Sequence, residues 1–198
     1  MKDWKVGLAG CSFISLERLA IEGFPNLEIL PSLDHLHSLR TLVILNWRNL
    51  KYLPTGLQWP NGLETLTIGG FWEELDSFPD FQVGSLMHLT SLSLYGWSKL
   101  KSLPQQIQHL TSLTLLRIDS FLGVETLPEW LGRLTSLKQL WIDDCKNLKN
   151  LPSVQAMQRL TKLQGLKIYG CPHLKQRCSR DSGTNWPKIS HIPKIEID

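Results

Sequence analysis

The side chains with the most chemical reach in this sequence are sulfur and imidazole groups near its end: Cys171, His173 and Cys178, with His191 further on. Thiolate and imidazole are the ordinary ligands of structural zinc, but C-P-H-x-x-x-x-C does not match the common zinc spacings. Cys171 also falls at a position that recurs elsewhere in the chain as an apolar residue. A Cys171–Cys178 disulfide is the other chemistry this spacing offers. No phosphate-binding G-x-x-x-x-G-K-S/T, G-x-G-x-x-G after a strand, H-E-x-x-H, paired C-x-x-C or G-x-S-x-G occurs. The glycine clusters GLAGCS and IGGF read as turns. Carboxylates are scattered over separate segments, and no histidine stands beside a nucleophile by motif. The reading is therefore of a chain that is no enzyme and holds no cofactor or metal.

The elements that carry these residues must be sought in the bulk pattern. Of 198 residues, 42% are hydrophobic and 20% charged, which predicts a folded chain. No window approaches the roughly 20 uninterrupted apolar residues of a membrane helix, and MKDWKVGLAGCSF lacks the apolar run of a secretory signal. With no Asn-x-Ser/Thr acceptor either, the four cysteines read as reduced thiols of a cytoplasmic protein. Net charge is +3 but uneven: residues 1–158 carry 13 basic and 15 acidic side chains, residues 159–198 carry 8 and 3. A near-neutral body offers no basic stripe for a nucleic-acid backbone.

The dominant signal is a repeat. The segment L137xxL140xI142xxC145xxL148xxL151P152 has counterparts along the chain. Leu16, Leu19, Ile21, Phe24, Leu27, Leu30, Pro31 is one, and Leu39, Leu42, Ile44, Trp47, Leu50, Leu53, Pro54 the next. Leu63, Leu66, Ile68, Phe71, Leu75, Phe78, Pro79 fits with one insertion. Leu89 to Pro104 and Leu113 to Pro128 fit fully, and Leu163 to Leu174 loses the Leu-Pro ending. The second leucine falls at 19, 42, 66, 92, 116, 140 and 166, in steps of 23 to 26. This is the period of a leucine-rich repeat.

Within L-x-x-L-x-L the last part alternates, so each copy predicts a short strand with one buried face. Strands are expected near 20, 43, 67, 93, 117, 141 and 167, stacked in parallel about 4.8 Å apart. A single copy cannot bury its own apolar side, so stability comes from neighbours. The predicted fold is an α/β-type repeat solenoid, a horseshoe with a parallel β-sheet on the concave face. Irregular loops or short helical turns, carrying residues such as Ile107, Leu110, Leu131 and Leu134, form the convex face. One column, Phe24, Trp47, Phe71, Trp97, Phe121, Cys145, Cys171, reads as an aromatic stack inside the solenoid, with a ligand-binding aromatic box as the alternative.

Function is then sought on the strand positions that alternate with the leucines. One exposed column reads Ala20, Val43, Thr67, Ser93, Arg117, Trp141, Lys167; the next reads Glu22, Leu45, Gly69, Tyr95, Asp119, Asp143, Tyr169. Tyr95, Arg117, Asp119, Trp141, Asp143, Lys167 and Tyr169 have the composition of a protein-binding hot spot, with Trp141 projecting as its anchor. A lateral column, Lys51, Lys101, Lys149 and Lys175, follows the same leucine in four copies and reads as a solvated flank or a dock for an acidic partner. The whole of 1–198 reads as one domain: a partial repeat at an open N-terminal edge over 1–15, about seven repeats over 16–175, and a cap over 176–198. In that cap Ile192, Ile195 and Ile197 alternate as a final strand. Trp4, Val6, Leu8 and Cys11 look like a strand torn from a preceding repeat, which predicts a fragment of something longer or a truncated gene product.

The form LxxLxIxxCxxLxxLPxxIxxLTSL over Leu113–Leu163, and the ending GCPHLKQRC…WPKISHIPKIEI from Gly170 to Ile197, resemble the C-terminal repeats of plant intracellular nucleotide-binding leucine-rich-repeat disease resistance proteins of the coiled-coil class. Secreted plant receptor repeats instead carry Asn at the column held here by Cys or aromatics, and a G-x-I-P step. The resemblance implies a protein-recognition domain whose partner is a pathogen effector, a host target or a nucleotide-binding switch domain that it restrains. No phosphate loop is present, so nucleotide binding carries over to no residue of this chain.

Overall fold

The computed structural model describes residues 15–23, 33, 36–46, 60–71, 76–78 and 86–198. Seven five-residue strands recur at the repeat period: β1 Arg18–Glu22, β2 Thr41–Leu45, β3 Thr65–Gly69, β4 Ser91–Tyr95, β5 Leu115–Asp119, β6 Gln139–Asp143 and β7 Gly165–Tyr169. An eighth, β8 Lys194–Ile197, follows in the tail. All pair in parallel in the order β1 to β8, each only with its neighbours in sequence. The register has no stagger: Leu19, Leu42, Leu66, Leu92, Leu116, Leu140, Leu166 and Ile195 form one row across the sheet.

The periodicity explains this stack. Successive strand side chains point to opposite faces, so the second leucine and the Ile or Leu two places on fall together on the inner face. From β2 to β7 both are fully buried. Strands β1 to β6 each continue the ladder one residue further: the N–H groups of Gly23, Asn46, Gly70, Gly96, Ser120 and Asp144 donate to the C=O at the end of the following strand. The chain turns off the sheet here, and Gly23, Asn46, Gly70, Ser120, Asp144 and Gly170 all take positive φ. That conformation costs least for Gly, Asn and Asp, which make up five of these six residues.

The far side is built from short helical pieces. Single 3-10 turns span Gln105–His109 and Glu129–Arg133, and α1 spans Val154–Gln158. In the tail, α2 covers Pro172–Arg177 and α3 covers Trp186–Ile189. Ile107, Leu110, Leu131 and Leu134 are buried beneath them. Among the described residues no helix is long and apolar enough to cross a membrane.

The aromatic column lies inside. Phe71, Trp97 and Phe121 are buried, and Phe78 inserts between them, with ring centroids 5.6 Å from Phe71, 5.6 Å from Trp97 and 6.3 Å from Phe121. Phe71 and Trp97 meet edge to face at 5.9 Å. Phe71, Trp97 and Phe121 thus belong to the core, with Phe78 partly buried against them, as the aromatic-stack reading expects. Where the column changes to Cys145 and Cys171, the smaller side chains are equally buried and their thiols lie 3.9 and 3.6 Å from the C=O of Ile118 and Ile142. Phe24, Trp47, Trp4, Val6, Leu8 and Cys11 lie outside the described residues.

The tail is fastened beyond its nearest repeat. Asn185 is 1% exposed. Its Nδ2 donates to the C=O of Lys149 at 2.8 Å, and its Oδ1 accepts from the N–H of Leu151 at 3.4 Å. Lys188 Nζ donates to the C=O of Leu151, and Arg177 Nη1 to Asn150 Oδ1. These contacts reach over β7 to the segment after β6.

Candidate protein-binding surface

Strand alternation puts the predicted columns on the face opposite the leucines, and the structure brings those residues together as two linked groups. The first centres on Arg117 of β5. Its Nε donates to Asp143 Oδ2 on β6 at 2.6 Å, and its Nη2 to Asp119 Oδ2 two residues on at 2.9 Å. The guanidinium also lies 5.6 Å from the ring centroid of Tyr95 on β4. Asp119, itself 7% exposed, takes a further bond from Ser120 Oγ at 2.7 Å.

Charge and burial pull against each other here. Burial lowers the proton affinity of Arg117, and Asp143, Tyr95 and Asp119 raise it by more, so its pKa is raised. Burial also raises the pKa of Asp143 above the ordinary carboxylate value, with Arg117 opposing. The two shifts favour opposite states of one pair. A 2.6 Å contact to a guanidinium is that of an ionised carboxylate, and we take Asp143 as charged at neutral pH.

The second group runs from β6 to β8. Lys167 Nζ lies 5.2 Å from the Trp141 ring centroid and 3.0 Å from Glu196 Oε2. Glu196 also receives Tyr169 Oη at 2.9 Å and Lys194 Nζ at 2.8 Å. Hydrogen bonds from Lys194, Lys167 and Tyr169 hold the Glu196 carboxyl down at about 2, and the same contact raises the pKa of Tyr169.

Trp141 departs from the sequence reading. It does not project freely: it is half-buried, and its Nε1–H is shielded from solvent without an acceptor among the described residues. Arg117 and Lys167 flank it in register on the adjoining strands, and the Lys167 side chain lies over the indole. Tyr169 is the more exposed ring, at 37%.

The lateral lysines do not form a continuous column. The backbone N–H of Lys149 donates to the C=O of Glu125 at 2.8 Å, which aligns these residues between repeats. Lys149 Nζ lies 2.9 Å from Glu125 Oε2. An acidic residue thus interrupts the series between Lys101 and Lys149. Lys101 and Lys175 are exposed, Lys175 on α2, and Lys51 lies outside the described residues. Glu125 follows Val124 at the same place in its copy of the repeat, so the sequence spacing already carries the interruption.

The sulfur and imidazole residues are not assembled into a ligand set. Cys171 and Cys178 are buried while His173 and His191 are exposed. No group of three or more metal-ligating side chains is found among the described residues. Cys145, Cys171 and Cys178 are free thiols. The hydrogen bond with Cys171, and burial, push Cys145 well above the usual thiol range; burial pushes Cys178 up to about 11.

A family profile described as "Leucine-rich repeat region" matches residues 71–197. The chain belongs to the leucine-rich-repeat family. Its leucine-rich-repeat fold is shared with the leucine-rich repeat domain of the type III effector XCV3220 (XopL), at a TM-score of 0.55 and 22% identity, over 91% of this chain and 76% of that one. The LRR protein LIC12759 of Leptospira interrogans superposes with a TM-score of 0.43 at 21% identity, over 86% of this chain and 52% of that one. A segment of 53 residues, 27% of this chain, is 38% identical to a protein named disease resistance protein RGA4, of Solanum bulbocastanum. The matched segment spans 5% of that protein's length. Leucine-rich repeats generally serve as protein-interaction surfaces.

Glu196, Ser120 and Asn185 were not legible as site or clasp residues from spacing. Glu196 stands in a strand with no leucine motif, and Ser120 and Asn185 act through hydrogen bonds that leave no periodic trace.

Proposed function

We propose that this domain is a non-enzymatic protein-recognition module of a plant innate immune receptor, working in the cytoplasm. Its partner binds over Tyr95, Arg117, Asp119, Trp141, Asp143, Lys167 and Tyr169. One observation carries the reading: two cations are each held between an aromatic ring and a carboxylate on consecutive strands. Side chains ordered in this way lose little further entropy on binding, and Trp, Tyr and Arg are the residues that dominate interface energetics. The mixture of signs suits a folded protein, either a pathogen effector or a host target. The plant setting rests on the likeness to the disease resistance protein.

A second reading is regulatory, with the repeats packing on a nucleotide-binding switch domain in cis or trans. The exposed Lys101 on the flank supports it. Capture experiments separate the two, using a separately expressed switch domain of a plant disease resistance protein and extract of infected leaves. Arg117→Ala/Trp141→Ala should lose a partner that Lys101→Glu/Lys149→Glu retains. Release of the switch domain by the lateral variant alone would favour the regulatory reading. Unchanged capture by both variants would remove the concave patch from consideration.

A further inference from the structure

The concave groups leave the C-terminal end of the solenoid unused. There β8 is the last described strand, with β7 on one side and no described strand on the other. Lys194 N–H donates to the C=O of Gln164 and Asp198 N–H to that of Ile168, both at 3.0 Å. In a parallel ladder alternate residues turn both backbone groups to the same neighbour. Lys194, Glu196 and Asp198 therefore face β7, and Ile195 and Ile197 turn their N–H and C=O groups outward. Two donors and two acceptors stand along an open edge.

A cleft of about 830 Å³ adjoins that edge. Ile195, Ile197, Ile192 and Trp186 give it an apolar floor, and Lys175 and Arg180 supply cations at its rim. Among the described residues no carboxylate lines it. Arg180 lies over the Trp186 ring at 5.4 Å, so its charge is fixed above the apolar floor. The surrounding chain adds to the field, with 8 basic against 3 acidic residues over 159–198. Of those three acids, Glu196 is already occupied by Lys167 and Lys194 on the concave side.

We propose that this edge and cleft form a second docking site, independent of the concave patch, for an acidic extended segment of a partner protein. The segment adds to β8 as a ninth strand. Its backbone meets the outward groups of Ile195 and Ile197, its apolar side chains enter the cleft, and its carboxylates meet Lys175 and Arg180. Strand addition draws affinity from main-chain hydrogen bonds and specificity from pockets for alternate side chains. A second copy of this chain is the poorer occupant, because it would bring the same cations against Lys175 and Arg180.

The test is fluorescence polarisation with the 198-residue protein and a labelled peptide in which Glu alternates with Val. The Glu–Val peptide should bind at least tenfold tighter than the matching Lys–Val peptide. N-methylation of alternate residues along one edge should abolish binding, while methylation along the other edge leaves it. Lys175→Glu/Arg180→Glu, confirmed as folded by its melting curve, should weaken binding at least tenfold. Arg159→Glu/Lys162→Glu, an equal charge change at exposed residues outside the cleft, should alter it less than threefold. Equal binding of both peptides, equal tolerance of methylation on either edge, or equal loss in both charge variants overturns the proposal. So does dimerisation in sedimentation that the acidic peptide fails to reverse.

Discussion

Leu140 and Trp141 are neighbours in sequence with opposite duties. Leu140 is fully buried on the inner face, so Leu140→Ala should cost about 2–5 kcal/mol in chemical denaturation. Trp141 is half-covered on the other face, and Trp141→Ala should cost less, about 1–2 kcal/mol, from the apolar area it re-exposes. Trp141→Phe should cost least, because it also removes an indole N–H that is shielded without an acceptor among the described residues. A variant order with Trp141→Ala above Leu140→Ala would reverse the assignment of faces. Glu196 gives a second test. Its folded pKa of about 2 lies below the ordinary 4.5, so the favourable contribution is present above 4.5 and is lost as pH falls towards 2. Carboxyl chemical shifts should show Glu196 titrating below the ordinary glutamate value, and Lys167→Met should move its midpoint upward. At this scale alternation made the faces legible in the sequence: Arg117, Trp141 and Lys167 do share one row. Partnership was not legible, because Arg117–Asp143 and Lys167–Glu196 depend on which carboxylate each long side chain reaches.

Strand and turn positions were the most legible part of the molecule, since burial on a parallel ladder demands the same residue at the same place in every turn. The seven strands centre on the residues the period named. The eighth was visible only as alternating isoleucines, because β8 lacks the leucines that precede the other strands. The post-strand turn was legible at IGGF alone, although Gly23, Asn46, Asp144 and Gly170 repeat it in other copies. Gly69 shows how tightly these elements meet. An added Cβ would fall 1.9 Å from the C=O oxygen of Tyr95 on the next strand, and Gly69 has φ of +143°. Gly69→Ala should therefore force β3 from β4 and lower stability by about 1–3 kcal/mol, measurable as a fall in the denaturation midpoint. The tail clasp makes a parallel case. Asn185→Ala would leave the Lys149 C=O and Leu151 N–H without their partner, at about 1–3 kcal/mol for each buried group. Hydrogen exchange should quicken at Leu151 in that variant, and an unchanged rate would show that the clasp is dispensable.

At the scale of the whole molecule, a stack whose strands pair only with their neighbours is stabilised by a sum of local interfaces. Its thiols report on that stack. Cys145, Cys171 and Cys178 are each about 1% exposed, so a thiol reagent should label them only as fast as the stack opens. Unfolding without reductant should then release four reactive groups, counting Cys11. Prompt labelling of the native protein at any of the three described thiols would show that the C-terminal repeats open readily. Because Cys145 and Cys171 occupy adjacent turns, their labelling rates should rise together when Asn185 is replaced.

The unstaggered register and the clasp together bear on how such a gene could lengthen. Copying one whole turn between β1 and β6 would preserve every neighbour relation, since each strand asks only for the same rows on either side. Copying the turn of β7 would not. The clasp on Lys149 and Leu151 spans that single turn, and a second turn in between would carry Asn185 and Lys188 about 4.8 Å further away. The tail thus acts as a ruler for the last interval: inheritance can add or drop turns upstream of it, but the turn it straddles is fixed in number.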